Sequence, residues 1–437
     1  MQNNVSASHN YFAFLWHAVF LSITVTFTEV NSVIPAMILE VGGSEFHIGI
    51  VTAIMIGVPL VAQLNFAGFL HGKRRKKPYL LAGINVRVLS LALIALTLMS
   101  ASRLSTLEAL LLIYAELLLF TTSGAFAGIS YVDLVGKSFP RQLRQRFFTR
   151  KQMISSIGIL FSAIVARQVL RTFAYPQNYS ALFIAAAAVL LVATFGFWMI
   201  REEATGDAPS ESDAVGQTGT ASGHRSYLKT LKSIPTVLHS DPNLRSYLWF
   251  VNGIGFHVAL IPFYVALAKQ RYFLDPALAG NLLFVQIIGM ITASLIWPRI
   301  VRRGGFKKVL KYWSMASFLL PPAALLISRF LPLEVYIALF LLTGTVISAR
   351  KVSQDAVIVE LSTEENRVLY TAIIGTLNLS IALFPIVLGT LIGLAGYTPV
   401  FLLVSALSLA ARFVLRRLVC PIDRPAQPMI DSGLGNT

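Results

Sequence analysis

Residues 68–101 read GFLHGKRRKKPYLLAGINVRVLSLALIALTLMSA. Five consecutive cations, Lys73 to Lys77, are followed by an apolar run over 79–101. About 20 apolar residues in a helix cross a bilayer core of about 30 Å. The run is therefore long enough to span, and the cationic cluster beside it has the character of a cytoplasmic loop. A nucleic-acid patch is the other reading of five adjacent cations, but the same pairing of apolar run and basic loop recurs along the chain.

Eleven further apolar stretches stand at 12–38, 47–70, 108–133, 152–172, 179–200, 246–268, 278–298, 310–328, 334–356, 368–393 and 398–416. Strands of a membrane barrel would be about ten residues long and would alternate in polarity; these do neither. Only 13% of the 437 residues are charged and 55% are hydrophobic, against about 25% charged in ordinary soluble domains. That excludes a soluble multi-domain enzyme, a disordered chain, a coiled coil and a disulfide scaffold. The single cysteine, Cys420, allows no intramolecular disulfide and no cysteine metal cluster; its neighbours Arg416 and Arg417 would permit palmitoylation. Met1–Asn10 holds no Lys or Arg, so the basic start of a signal peptide is missing, and the first stretch reads as a retained span.

The net charge of +16 has a topological use. With the N-terminus inside, 29 of the 36 Lys and Arg fall on the cytoplasmic side and five outside; Arg87 and Arg167 lie within spans. The expectation is an all-α membrane protein of twelve spans, N-in and C-in, multi-pass in the cell (inner or plasma) membrane, with the bilayer as its solvent, no nucleic-acid partner and a monomeric working state.

One long polar insertion, 201–245, divides the chain. Its first part, rich in Gly, Ser, Thr and acids, predicts disorder; its second, 226–245, mixes apolar residues with Lys and His and predicts an amphipathic surface segment. The organisation read from this is a six-span bundle over 1–200, a linker over 201–245, a second bundle over 246–418 and a tail over 419–437. The halves look duplicated. Pro35 recurs as Pro262 at an offset of 227, Gly49 as Gly280 and Lys76-Lys77 as Lys307-Lys308 at 231, and Arg144 as Arg367 at 223. Parallel repeats of this kind place a binding site near the midplane between the halves.

On these residues the chain resembles the major facilitator superfamily. That family carries a loop of the form Gly-x-x-x-Asp-Arg-x-Gly-Arg-Lys between spans two and three. Gly68 and the run Lys73 to Lys77 match it, while His71 and Gly72 stand where the Asp is expected; Pro298 to Lys308 repeats the departure. Asp133-Leu134-Val135 with Arg144 to Phe148, and Glu360-Leu361-Ser362 with Arg367, are similar to loops of many bacterial members. The Arg-x-x-x-Gly pattern of proton-driven drug exporters is missing from span four. The resemblance covers residues 12–418 and resolves no subfamily. It implies two pseudo-symmetric six-helix bundles and a cavity lined by spans one, four, seven and ten.

Charges inside spans are costly, roughly 2.5–3.5 kcal/mol each on insertion scales, so each is a functional candidate. Glu29 in span one suits a proton carrier or the partner of a cationic substrate group; a carboxyl held by neighbouring hydroxyls is the plainer reading. His257 in span seven is either a titrating group or a packing histidine, and no second ligand at helical spacing makes it a metal site. Glu116 in span four and Arg87 in span three fall at similar depths, which predicts an ion pair, with a substrate or proton role for Glu116 as the alternative. Arg167 reads as reaching outward or facing the cavity. Asp133, Arg144, Arg350, Lys351, Asp355 and Arg367 cluster at the inner ends of spans four and ten and read as gating charges. Gln63, Asn252, Gln286 and Asn378 are candidates for hydrogen bonds to a solute. Pro35, Pro59, Pro262, Pro321, Pro322 and Pro385 predict kinks or helix ends, with a matched pair in spans one and seven.

No phosphate-cradling loop, dinucleotide fingerprint, His-Glu-x-x-His or Cys-x-x-Cys occurs, so neither a cofactor nor self-powered pumping is expected. The resulting expectation is a secondary transporter of a small solute working by alternating access, with protons as a coupling partner. The alternatives are a non-transporting member of the same fold acting as a sensor or assembly factor, and a membrane-embedded transferase, for which no acid–histidine cluster is present.

Overall fold

The structure is a computed structural model that describes residues 2–71, 73, 75–139, 141–202, 234–272, 277–362 and 367–419. Most of the 201–245 linker and the tail from 420 onward lie outside the described residues. Among the described residues regular structure is entirely helical. The helices are α1 (Gln2–Phe27), α2 (Val33–Glu40), α3 (Glu45–His71), α4 (Lys77–Met99), α5 (Thr106–Ser138), α6 (Arg141–Thr172), α7 (Gln177–Met199), α8 (Pro242–Tyr272), α9 (Leu278–Phe330), α10 (Leu333–Leu361), α11 (Arg367–Asn378), α12 (Phe384–Ala395) and α13 (Tyr397–Leu415).

Among the described residues eleven helical stretches are long and apolar enough to cross a membrane, one of them running from α11 through a 3-10 turn into α12. The twelfth span comes from α9, whose 53 residues would measure about 80 Å as one rod. Gly304 and Gly305 leave helical geometry, Gly305 with φ +65 and ψ 177, a conformation essentially restricted to glycine. Two antiparallel spans meet there. Span one is assembled from α1 and α2, and span eleven from α11, a 3-10 turn over Ser380–Leu383 and α12. The twelve apolar stretches are thus twelve spans in two six-helix bundles.

In the first bundle α1 packs on α6 and α7, α4 on α5 and α7, and α3 on α5; in the second α8 and α9 pack on α13, and α9's two arms flank α10. The α5 start is fixed by a capping box, in which the Ser105 N–H donates to the Glu108 carboxylate at 2.8 Å and the Glu108 N–H to the Ser105 hydroxyl at 3.3 Å. The basic end of the first bundle, where the 73–77 loop sits, is tied by Glu202. Its carboxylate accepts from the N–H groups of Lys76 (2.6 Å) and Lys77 (3.0 Å) at the α4 start. The Lys77 ammonium in turn donates to the Trp198 and Ile200 carbonyls at the α7 end, 2.8 Å each. An even number of spans puts both termini at this basic end. Of the expected amphipathic segment, residues 234–240 are helical, and Asp241 caps α8 by accepting from the Asn243 and Leu244 N–H groups at 2.8 and 3.0 Å.

Candidate functional site

Between the bundles α3 packs on α12, α6 on α9, and α2 on α8. These seams lie away from the basic end. A methyl placed on Gly49 would stand 2.5 Å from the Pro385 carbonyl oxygen, and one on Gly389 would collide with the Glu45 carbonyl, so α3 and α12 cross backbone to backbone. Around the crossing the Tyr397 hydroxyl donates to Glu45 at 2.6 Å, Lys269 pairs with Glu40 at 3.9 Å, and Arg167 Nε donates to Asn281 Oδ1 at 2.6 Å with its guanidinium over the Phe284 ring. Arg167 therefore stitches the halves together instead of reaching outward or into a cavity. Glu40, Tyr175, Tyr179, Asn178 and Lys269 line a cavity of about 110 Å³ within this far-end closure. The described hydrogen bonds and ion pair between the halves all belong to this far-end closure.

Span one is interrupted near its middle. After Phe27 the chain leaves helical geometry over Thr28–Ser32 and resumes at Val33. Broken backbone inside a membrane persists only where its polar groups find partners, and Glu29 supplies them. Its Oε2 accepts from the Asn31 N–H at 2.6 Å and the Ser32 hydroxyl at 3.1 Å, and its Oε1 from the Asn31 amide at 2.7 Å. The Glu29 carbonyl takes the first N–H groups of α2, from Val33 and Ile34, at 3.1 Å each. Lys351 on α10, in the opposite half, is exposed.

A second interruption is in span eleven. α8 continues as one helix through Pro262, whereas α11 ends at Asn378. There the Ser380 hydroxyl donates at 3.0 Å to Asn252 of α8, whose amide donates to the Leu248 carbonyl at 3.0 Å. Asn378 Oδ1 is buried without a partner among the described residues. Phe256 and Phe384 stack beside this break with ring centroids 3.8 Å apart.

The remaining candidates separate. Glu116 is buried and accepts from the Thr97 hydroxyl at 2.7 Å. The expected Arg87–Glu116 ion pair does not form: Arg87 lies over the Phe120 ring, 4.3 Å from its centroid, and against Gly124. Glu116 is eight residues from Gly124, about 12 Å along the helix, so the register of α4 against α5 holds the charges apart. His257 is fully buried, its Nε2 sharing a hydrogen bond of 3.2 Å with the Tyr264 hydroxyl. Gln286 is fully buried where α9 meets α10 and its amide has no partner among the described residues. Gln63 is exposed on α3. Asp133 pairs within its own helix, with Lys137 at 2.9 Å. Arg350 is half-buried beside Lys351. The side chains of Arg144, Asp355 and Arg367 lie outside the described residues. Sequence reasoning missed Glu40, Glu45, Lys269 and Tyr397 as a closure, since each reads as an ordinary loop-flanking residue. The Lys151 ammonium donates to the Tyr131 hydroxyl at 3.1 Å between α6 and α5.

The family model described as Major Facilitator Superfamily matches residues 15–349. The chain belongs to the Major Facilitator Superfamily. Similar solved structures include the nucleoside transporter NupG (14% identity, 93% of this chain and 98% of that one, TM-score 0.63) and tetrameric PepTSo2 (13%, 94% and 98%, 0.66). A D-xylose-proton symporter is also similar (11%, 94% and 97%, 0.63). At these identities the likeness carries the fold. No curated relative matches the chain. As a member of this superfamily it is a multi-pass membrane transporter of the secondary type, not an enzyme.

Proposed function

We propose that this facilitator-family protein moves a small solute across the cell membrane by alternating access, its bundles over 1–200 and 246–418 rocking about the space between Glu29 and Lys351. Both termini and the basic loops face the cytoplasm, because 29 of the 36 Lys and Arg then lie inside. On that orientation the far-end closure faces outward. One observation carries the reading: every described polar link between the halves sits at the far end, so the seam can part there and close at the other. The protein works as a monomer in the bilayer. Asp133, Arg144, Arg350, Lys351, Asp355 and Arg367 supply the charges that meet when the inner end closes.

Protons couple to the cycle through Glu29, with Glu116 or His257 assisting. Glu29 sits at the interruption of span one, where a change in its protonation alters the hydrogen bonds that hold the break together. Gln63, Asn252, Gln286 and Asn378 are the uncharged candidates for contact with the solute.

The test uses purified protein in proteoliposomes. Replacing Glu40 and Lys269 by cysteines, with Cys420 replaced by serine, and cross-linking them should arrest uptake, and reduction should restore it. Uptake that continues through the cross-link removes alternating access. Glu29→Gln, Glu116→Gln and His257→Ala with transport of unchanged pH dependence remove the proton role alone.

A further inference from the structure

The cavity within the far-end closure is walled by both halves. Glu40, Tyr175, Asn178 and Tyr179 belong to the first bundle and Lys269 to the second. All stand at span ends. Glu40 is two residues beyond the stretch 12–38 and Lys269 one beyond 246–268, while Tyr175 and Asn178 lie between 152–172 and 179–200, which Tyr179 opens. The cavity is therefore at the membrane surface, and the side chains of Glu40 and Lys269 keep 21% and 22% of their area exposed there. About 10–15 Å³ of such a cavity takes one water, so its volume of about 110 Å³ has room for about seven water-sized groups.

The wall selects the chemistry. The Glu40 carboxylate and the Lys269 ammonium stand 3.9 Å apart, too far for a hydrogen bond, so neither closes off the other. Asn178 and Tyr179 are buried, with 2% and 3% exposed. Asn178 Oδ1 accepts from the Tyr179 N–H at 2.7 Å, which leaves the NH2 as its free end. Neither that NH2 nor the Tyr179 hydroxyl has a hydrogen bond among the described residues, and both residues line the cavity. Ala36 and Leu278 supply an apolar side.

A ligand of one charge fits this wall poorly. A cation drawn to Glu40 stands against Lys269, an anion drawn to Lys269 stands against Glu40, and either leaves net charge in a half-buried place. A zwitterion laid antiparallel to the pair meets each charge with its opposite and adds none. Bond lengths put the ammonium nitrogen of an α-amino acid about 2.5–3.5 Å from its carboxylate oxygens, close to the 3.9 Å of the pair. An ω-amino acid spreads its charges further. The Asn178 NH2 and the Tyr179 hydroxyl are donors that suit a carboxylate.

We propose that this cavity is a binding site for a small α-amino acid, with its ammonium on Glu40, its carboxylate on Lys269, and Asn178 and Tyr179 as further donors. Because the walls belong to different halves, the ligand binds the closed seam and holds it shut. The site goes beyond the transport reading and takes from it only the parting of the seam.

The experiment follows thermal unfolding of the purified full chain in detergent with millimolar glycine, L-alanine, 4-aminobutyrate, methylammonium or acetate. Glycine and L-alanine should raise the Tm by about 2–5 °C near saturation. The two single-charge probes should not, and 4-aminobutyrate should do so less. Tyr179→Phe should weaken glycine about tenfold. Ala36→Leu, which fills the cavity and leaves every charge in place, should abolish the shift. Gly49→Ala, whose collision with Pro385 parts the seam, should weaken glycine by the factor by which it depopulates the closed form. No shift with either amino acid, an equal shift with methylammonium or acetate, or a glycine shift untouched by Ala36→Leu overturns the site. Where Ala36→Leu does not fold, an unchanged glycine affinity in Tyr179→Phe has the same force. The transport reading fails separately, in uptake that continues through the cross-link between positions 40 and 269.

Discussion

Gly49→Ala tests the far-end closure through one methyl group. The new Cβ would lie 2.5 Å from the Pro385 carbonyl oxygen, 3.0 Å from its carbon and 2.9 Å from the Ile386 Cα. All three are backbone atoms, so no side chain can swing aside, and α3 and α12 must separate by several tenths of an ångström. Overpacking of this kind costs about 1–3 kcal/mol. The cost falls on the closed seam and vanishes when the seam parts, so it acts as a differential free energy between the two states. It should shift their ratio about 5- to 150-fold toward the form open at the far end. Gly389→Ala attacks the same crossing from α12, against Glu45 and Phe46, and should act in the same direction without adding fully. The control is Gly393→Ala, one turn further along α12, where a methyl meets nothing within 4 Å. Spin labels at Phe173 and Leu331, in a Cys420→Ser background, report the separation across that end by double electron–electron resonance. Gly49→Ala and Gly389→Ala should move population to the longer distance and Gly393→Ala should not. Unchanged distances in both test variants would refute the assignment of this crossing as the closed gate.

Further outcomes follow from the same geometry. Tyr397→Phe removes a donor 2.6 Å from the Glu45 carboxylate; a charge-assisted bond in a partly wet site is worth about 1–2 kcal/mol, so the same labels should show a smaller opening. Glu40 lies past the apolar stretch of span one, and burial pushes its carboxyl above the ordinary carboxylate range while Lys269 pulls it back. The closed form therefore binds the proton more tightly than a form in which Glu40 is in water. Closure should strengthen as external pH falls through the raised value, levelling off below the ordinary one, and Glu40→Gln should abolish the dependence. Gly305→Ala forces a side chain onto φ +65 and should cost about 1–3 kcal/mol, read as a lower melting temperature in detergent. Gly304→Ala, at φ −166 with only the flexible Lys308 side chain in its way, should cost less.

The spans were legible because bilayer thickness imposes a length, and a run such as 79–101 has one reading at that length. The breaks within spans were legible only in part. Pro35 and Pro262 give the same signal, yet one stands just after an interruption and the other inside a continuous helix. The difference lies in the preceding residues. Glu29, Asn31 and Ser32 offer acceptors and donors for the freed backbone of span one, and Pro35 then falls in the first turn of α2, where a missing N–H costs nothing. Val258 to Ile261 offer no such groups, so α8 has no cheaper course than to continue. A proline marks where a helix is allowed to stop; the polar neighbours decide whether it does.

Which charges meet was the least legible feature, for a geometric reason. Axial depth follows from counting residues, but facing and register depend on how helices lie against one another. Arg87 and Glu116 look level by count and are separated by the α4–α5 register, whereas Glu45 and Tyr397, 352 positions apart in the chain, look unrelated and share a hydrogen bond. The same uncertainty hid the far-end closure, because Glu40, Glu45, Lys269 and Tyr397 become a gate only when the two bundles lean together. An asymmetry follows that duplication does not explain. The interruptions fall in spans one and eleven, which are not equivalent positions of the repeat, so the two halves are broken at different places and the polar groups that hold each break, Glu29 with Asn31 and Ser32 in one and Ser380 with Asn252 in the other, have no counterpart across the repeat.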